Sequence, residues 1–223
     1  MGNKIRIVCF GDSNTWGYNP ESQFPENNAP ARFPEDTRWT GRLAQLLGEG
    51  YTVIEEGLDN RTTCFRDPGY YGRSGVDILP VLLESHSPLD LIIIMLGTND
   101  VKTMYSASPH VISAGMERLV HICKNTCSLP YTSSADAKIL VVAPVRLHAD
   151  PSGKDWYDFT AESYAKSEKL PAVYQAVAER NGCAFLDASK HISAGDIDGI
   201  HLDAKGHEAL ANLLKSTIDQ LGV

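Results

Sequence analysis

The sequence predicts an α/β protein, a doubly wound three-layer fold in which a five-stranded parallel sheet lies between helices. Three observations carry this prediction. Five short apolar runs alternate with stretches of helical periodicity along the 223 residues. Several of those runs are apolar throughout, as strands covered on both faces must be. No linker, internal repeat or low-complexity tract interrupts the chain, so residues 1–223 read as one domain.

The elements follow in order. "KIRIVCF" (4–10) is the first strand, and within "VCFGDSNTWG" (8–17) it stops at a glycine followed by an acid, a serine, an asparagine and a threonine. Such residues form either a plain turn or a catalytic loop. "RWTGRLAQLLG" reads as a helix, "YTVIEE" (51–56) as the second strand, and "GVDILPVLLESH" as a helix in which Pro80 marks a kink or a boundary. The third strand is "LIIIML" (91–96). Ser108 as N-cap and Pro109 at the first helical position open a long amphipathic helix, on which Ile112, Gly115, Met116, Leu119, Val120, Cys123 and Cys127 repeat. After "KILVVA" (138–143) one helix is expected from about Thr160 to Asn181, ended by Gly182. "CAFLDA" (183–188) is the fifth strand, and a last helix begins near Asp203 with Leu210, Leu213, Leu214, Thr217 and Leu221 on one face. Residues 18–36, 57–74 and 144–159 are long for connections in a compact domain, which points to functional loops.

Composition narrows the partners. A net charge of −8, from 20 Lys+Arg against 28 Asp+Glu with no basic stripe, repels a phosphate backbone, so nucleic acid is not an expected partner. The longest apolar run is too short to cross a bilayer, which needs about 20 residues. The start "MGNKIRIVCFGDS" enters a strand without a secretory apolar segment, and the expected compartment is the cytoplasm. Five cysteines without a CxxC pair fit reduced thiols there. Cys123 and Cys127 share a helix face and, with His121, could ligate a metal; the core reading is preferred. Asn60-Arg61-Thr62 matches a glycosylation acceptor, without consequence in a cytosolic chain.

In an open α/β sheet, ligands bind beyond the carboxyl ends of the strands. Those positions hold Gly11-Asp12-Ser13-Asn14, Gly57-Leu58-Asp59-Asn60, Gly97-Thr98-Asn99-Asp100 and, ten residues after the fifth strand, Asp198-Gly199-Ile200-His201. A parallel sheet brings all four to one edge. Serine, a histidine with an acid three residues earlier, and several hydrogen-bond donors are the parts of nucleophilic acyl transfer. Singly, each has a plain reading: Ser13 as a cap, Asn99 and Asp100 as loop residues, His201 as a satisfied loop histidine.

"FGDSNTWG", Gly57, "GTND" and "DGIH" resemble, in order, the four sequence blocks of the SGNH hydrolases, the GDSL esterases and lipases. A closer likeness, through "RFPEDTRWTGRLAQLLG", "VIEEGL", "RTT" and "LDLIIIMLGTND", is to the arylesterase and acyltransferase subgroup. The resemblance implies a flavodoxin-like sheet and a serine esterase that needs no cofactor and no metal. It implies Ser13 as nucleophile, His201 as base and Asp198 as the acid that orients it. It also implies an oxyanion hole of the Ser13 N–H, the Gly57 N–H and the Asn99 side chain. The chemistry agrees: serine needs a base whose pKa lies near neutrality, and a developing oxyanion needs donors already in place.

His148 is the rival base, with Asp150 near it in sequence. Trp16 and Trp156, with Tyr157 and Phe159, are candidates to line an acyl or alcohol pocket. The expected substrate is a small aryl or short-chain carboxylic ester, with acyl transfer to alcohols or action on acetylated sugars or thioesters as variants, in a homo-oligomer. Two other classes stay open. One is a flavodoxin-like nucleotide or flavin module; the other is a Mg²⁺ phosphohydrolase using Asp12, Asp100 and Asp198.

Overall fold

The computed structural model describes residues 4–148 and 158–223. Strands β1 (Ile5–Gly11), β2 (Tyr51–Gly57), β3 (Leu91–Met95), β4 (Lys138–Ala143) and β5 (Ala184–Asp187) form one sheet in the order β2-β1-β3-β4-β5, every pair parallel. Helices are α1 (Ser13–Trp16), α2 (Trp39–Leu47), α3 (Gly75–His86), α4 (Pro109–Cys127), α5 (Ala161–Ser167), α6 (Leu170–Arg180) and α7 (Ala204–Leu221). This is the flavodoxin-like order, in which the chain leaves β1 toward β2 and returns to β3 on its other side.

Alternation along each strand divides the interior into two cores. Val8, Phe10, Ile92, Ile94, Val141 and Ala143 face α3, α4 and α6 through Leu79, Leu83, Met116, Leu119, Tyr174 and Val177. Ile7, Cys9, Leu91, Ile93, Leu140 and Val142 face α2 and α7 through Trp39, Leu43, Leu210 and Leu214. Cys123 and Cys127 pack inside the first core, where burial pushes both thiols up, and among the described residues no His, Cys, Asp and Glu set is arranged to hold a metal. No helix among the described residues is long and apolar enough to cross a membrane.

One helical expectation needs correction, and one of two alternatives is decided. The single helix expected over 160–181 is two helices, because Pro171 lacks the amide that a continuous helix would use and its ring would meet the carbonyl one turn back; it sits instead in the first turn of α6. α3, in contrast, continues through Pro80, so that residue is no boundary. An interior proline costs about 3 kcal/mol. Full burial of Leu79 and Leu83 on either side returns roughly 1.5–3 kcal/mol each, which offsets it.

Candidate active site

The β1–β3 switch point is where the site assembles. Gly11 ends β1 opposite Gly57 of β2 and Met95 of β3. A Cβ on Gly11 would lie 2.0 Å from Thr15 Oγ1, so only glycine lets α1 fold back over the strand end. Asp12 caps that one-turn helix by accepting a hydrogen bond from the Asn14 N–H at 3.0 Å, and Gly17 closes it at φ 90°. Ser13 is thereby held at the first helical position, 5% exposed.

His201 meets Ser13 across 188 positions of sequence. Its Nε2 lies 2.9 Å from Ser13 Oγ, and its Nδ1 lies 2.7 Å from Asp198 Oδ2. A carboxylate can only accept, so Nδ1 carries the hydrogen and Nε2 is left to accept from the serine hydroxyl. Asp198 Oδ1 accepts from the Ile200 and His201 amides, each at 2.9 Å, and Oδ2 also accepts from Gln23 Nε2 at 3.2 Å. Burial alone would raise this carboxyl, but the His201 hydrogen bond and charge, with the two amides, outweigh burial and hold it below the usual aspartate value.

Ser13, Asn99, Asp198 and His201 line one cavity of about 200 Å³, together with Tyr18, Asp59, Asn60, Tyr70, Lys102, Phe159 and Ile200. Gly57 is not among these residues. It is packed on α1, where a Cβ would lie 2.1 Å from the Trp16 nitrogen. The cavity instead takes Asn60 from the same turn, in the left-handed region at φ 60°. Trp16 does not line the cavity either; its ring lies under the Arg32 guanidinium, 5.1 Å from centroid to carbon. Trp156, Tyr157 and Asp150 lie outside the described residues. His148 faces the Ala194 carbonyl at 3.1 Å, and Ser13 Oγ is met by His201.

Several residues that hold the site escaped sequence reasoning. Asn14 donates through Nδ2 to the Ile200 carbonyl at 3.3 Å and accepts at Oδ1 from the Leu202 amide at 2.9 Å, clasping both sides of His201. Arg61, buried, donates to the carbonyls of Gly11 and Glu56, and its own carbonyl accepts from Asn99 Nδ2 at 3.1 Å. The Tyr18 ring lies 4.3 Å from the His201 ring. The signals for Asn14 and Arg61 were present in "GDSN" and "RTT", but nothing in either stretch names its partner.

Asp12, Asp100 and Asp198 are committed separately. Asp100 accepts from the Thr63 amide at 2.9 and 3.1 Å and from its hydroxyl. Burial pushes the Asp100 carboxyl up to about 7, with the Asp12 charge adding to the rise, and pushes Asp12 up to about 6. Ordinary aspartate titrates near ~3.9. Because the folded values are the higher ones, these groups stabilise the fold fully only below the unfolded value, and that contribution is lost as pH climbs through about 6 and 7. Asp100→Asn keeps an oxygen for the Thr63 amide and hydroxyl while removing one titration. We expect its urea midpoint to fall less between pH 5 and pH 8 than that of the parent protein; an equal fall would place the pH dependence elsewhere.

The sheet order and the hydroxyl–imidazole–carboxylate chain at its carboxyl edge define the class, a hydrolase of the SGNH type on a flavodoxin-like sheet. The sequence model of the GDSL-like lipase/acylhydrolase family matches residues 9–209, and the chain belongs to that family. It is similar to the aryl esterase of M. smegmatis at 40% identity, over 97% of this chain and 99% of that one, with a TM-score of 0.89. It is also similar to Est24, a carbohydrate acetylesterase from Sinorhizobium meliloti, at 40% identity over 98% and 100% of the chains, TM-score 0.87. A carbohydrate acetylesterase family member from the same organism shares 32% identity over 98% and 100%, TM-score 0.89. No curated protein matches the chain. The protein is a carboxylic ester hydrolase.

Proposed function

We propose that Ser13, His201 and Asp198 are the catalytic triad of an esterase for small aryl or short-chain acyl esters. The observation that carries this reading is the continuous hydrogen-bond chain from Ser13 Oγ through His201 to Asp198, opening on a cavity that also holds Asn99. His201 Nε2 takes the hydroxyl proton as Ser13 Oγ bonds to the ester carbon and the carbonyl electrons move onto oxygen. The tetrahedral species then expels the alcohol, which leaves with the proton from His201. Water repeats the sequence on the acyl-enzyme, freeing the acid and restoring Ser13. An alcohol in place of water gives acyl transfer.

The oxyanion is met by the Ser13 N–H and the Asn99 side-chain amide, which donate without adding a charge that would retain the acid product. A third donor comes from the turn after β2. The resemblance assigns it to Gly57, but the cavity lining favours Asn60. A cavity of about 200 Å³ suits a short acyl group, since sites for drug-sized ligands run to roughly 300–1,000 Å³. We carry the cytoplasmic setting with this reading, and a homo-oligomer too, supported by the exposed Tyr71 beside Tyr70 at the cavity.

A fluorophosphonate tests the reading: it should add covalently to Ser13 with chelator present, and a protein that turns over p-nitrophenyl acetate without such an adduct overturns the assignment. Asn99→Ala should lower kcat by roughly 10²- to 10³-fold, the usual effect of removing one oxyanion donor. Unchanged kcat would remove Asn99 from the oxyanion hole. Parallel turnover of p-nitrophenyl esters of graded chain length, with and without added alcohol, reads acyl size and transfer.

A further inference from the structure

The Asp198 carboxylate has one more donor than orienting His201 requires. Its Oδ1 accepts from the Ile200 and His201 amides and its Oδ2 from His201 Nδ1, all within its own loop. The fourth donor, Gln23 Nε2 at 3.2 Å, comes from 175 positions away. A carboxylate only accepts, so the Gln23 side chain must present its NH₂, and that orientation leaves its Oε1 buried without a partner among the described residues. A buried polar atom without a partner is costly, so the bond to Asp198 is kept against a local penalty.

The turn that carries Gln23 is built for that reach. Asn19, buried, caps a one-turn 3₁₀ helix, Pro20–Gln23: its side chain accepts from the Glu21 amide at 3.1 Å and its carbonyl from the Ser22 hydroxyl at 2.7 Å, while Pro20 supplies the fixed φ of the first position. One residue earlier, the Tyr18 amide donates to the Ser13 carbonyl at 3.0 Å, and the Tyr18 ring packs on His201. Hydrogen bonds therefore run from Ser13 through His201 and Asp198 to Gln23, and the chain from Gln23 back to Tyr18 closes the ring on the nucleophile's own carbonyl.

Resting on the triad reading above, we infer that Gln23 is a positioning residue that acts through Asp198, fixing the carboxylate against His201 and moderating the negative charge that the imidazole meets. An N–H aimed at Oδ2 draws charge away from the His201 Nδ1 side, so the imidazolium is less favoured and the base stays neutral to lower pH. Besides Asp198, the titratable groups among the described residues whose charge couples to His201 are Asp12 at the end of β1, Asp59 after β2 and His207 of α7, with the Tyr18 ring against the imidazole. A substitution at Gln23 removes none of them.

Gln23→Met tests this, since it removes both polar atoms, the unpaired Oε1 included, and keeps the length of the side chain. With p-nitrophenyl acetate, kcat should fall roughly three- to tenfold, the effect of one lost hydrogen bond, while KM stays within about twofold. The acidic limb of kcat/KM should move up by about half a pH unit, because His201 holds its proton more firmly. Gln23→Lys should move the same limb down, since an ammonium beside Asp198 opposes the imidazolium. In an Asp198→Ala background the kcat effect of Gln23→Met should disappear. A limb that stays put in both variants, a rise in KM with kcat kept, or an equal loss in the Asp198→Ala background overturns the inference. Were Gln23→Met not to fold, the limb in Gln23→Lys still decides. Fluorophosphonate labelling of Ser13 in the parent enzyme reports the triad reading separately, so its failure is distinguishable from an unmoved pH profile.

Discussion

Ser13→Ala is expected to lower kcat for p-nitrophenyl acetate by roughly 10⁴- to 10⁶-fold, the range seen when a triad nucleophile is removed. Fluorophosphonate labelling should vanish with it. The fold should survive, because the Ser13 carbonyl still accepts from the Gly17 and Tyr18 amides and Asp12 still caps α1. What is lost is one hydrogen bond to His201, which costs about 0.5–1.5 kcal/mol. His201→Ala should match the loss in rate, and the double variant should be no slower than either single one, since the two act as a unit. His148→Ala should keep measurable turnover. Substantial kcat in Ser13→Ala, measured on protein free of parent enzyme, would sink the serine mechanism.

Asp198→Asn should cost nearly as much, roughly 10³- to 10⁴-fold in kcat, for a reason visible in its contacts. Oδ1 accepts from the Ile200 and His201 amides, so an asparagine must keep its oxygen there. Its NH₂ then points at His201 Nδ1, which must become the acceptor. The ring hydrogen moves to Nε2 and aims at Ser13 Oγ, where a proton acceptor is required. The wrong tautomer, with little change in geometry, is the expected defect. Thermal stability close to that of the parent protein with kcat lost fits this account, whereas loss of both would mean that Asp198 serves mainly to hold the loop.

Much of this molecule was legible in advance because its strands are short and apolar and its helices carry a strong period. All five strands fall within one or two residues of their expected bounds, and the Ser108–Pro109 start of α4 is where capping chemistry places it. The helical error came at Pro171, which restarts a helix, whereas Pro80, read as a kink or a boundary, is carried through one by the leucines around it. In the site, residue types that do chemistry were readable and residues that hold them were not. Asn14 looks like any turn asparagine until its side chain is seen spanning Ile200 and Leu202. Trp16 looked like a pocket residue because it follows the serine loop, yet the helical turn of α1 sends its ring to Arg32.

Local chemistry along the chain determined the strand–helix alternation, the parallel sheet and the identity of a serine, a histidine and an acid able to work together, because periodicity and residue type act over a few positions. Tertiary structure alone decided that His201 and not His148 reaches Ser13, that Asn60 lines the cavity, and that Asn14 clasps both sides of His201. Each of those depends on contacts between segments up to 188 positions apart. Spacing in sequence carries no information about which way such segments turn once the sheet has brought them together.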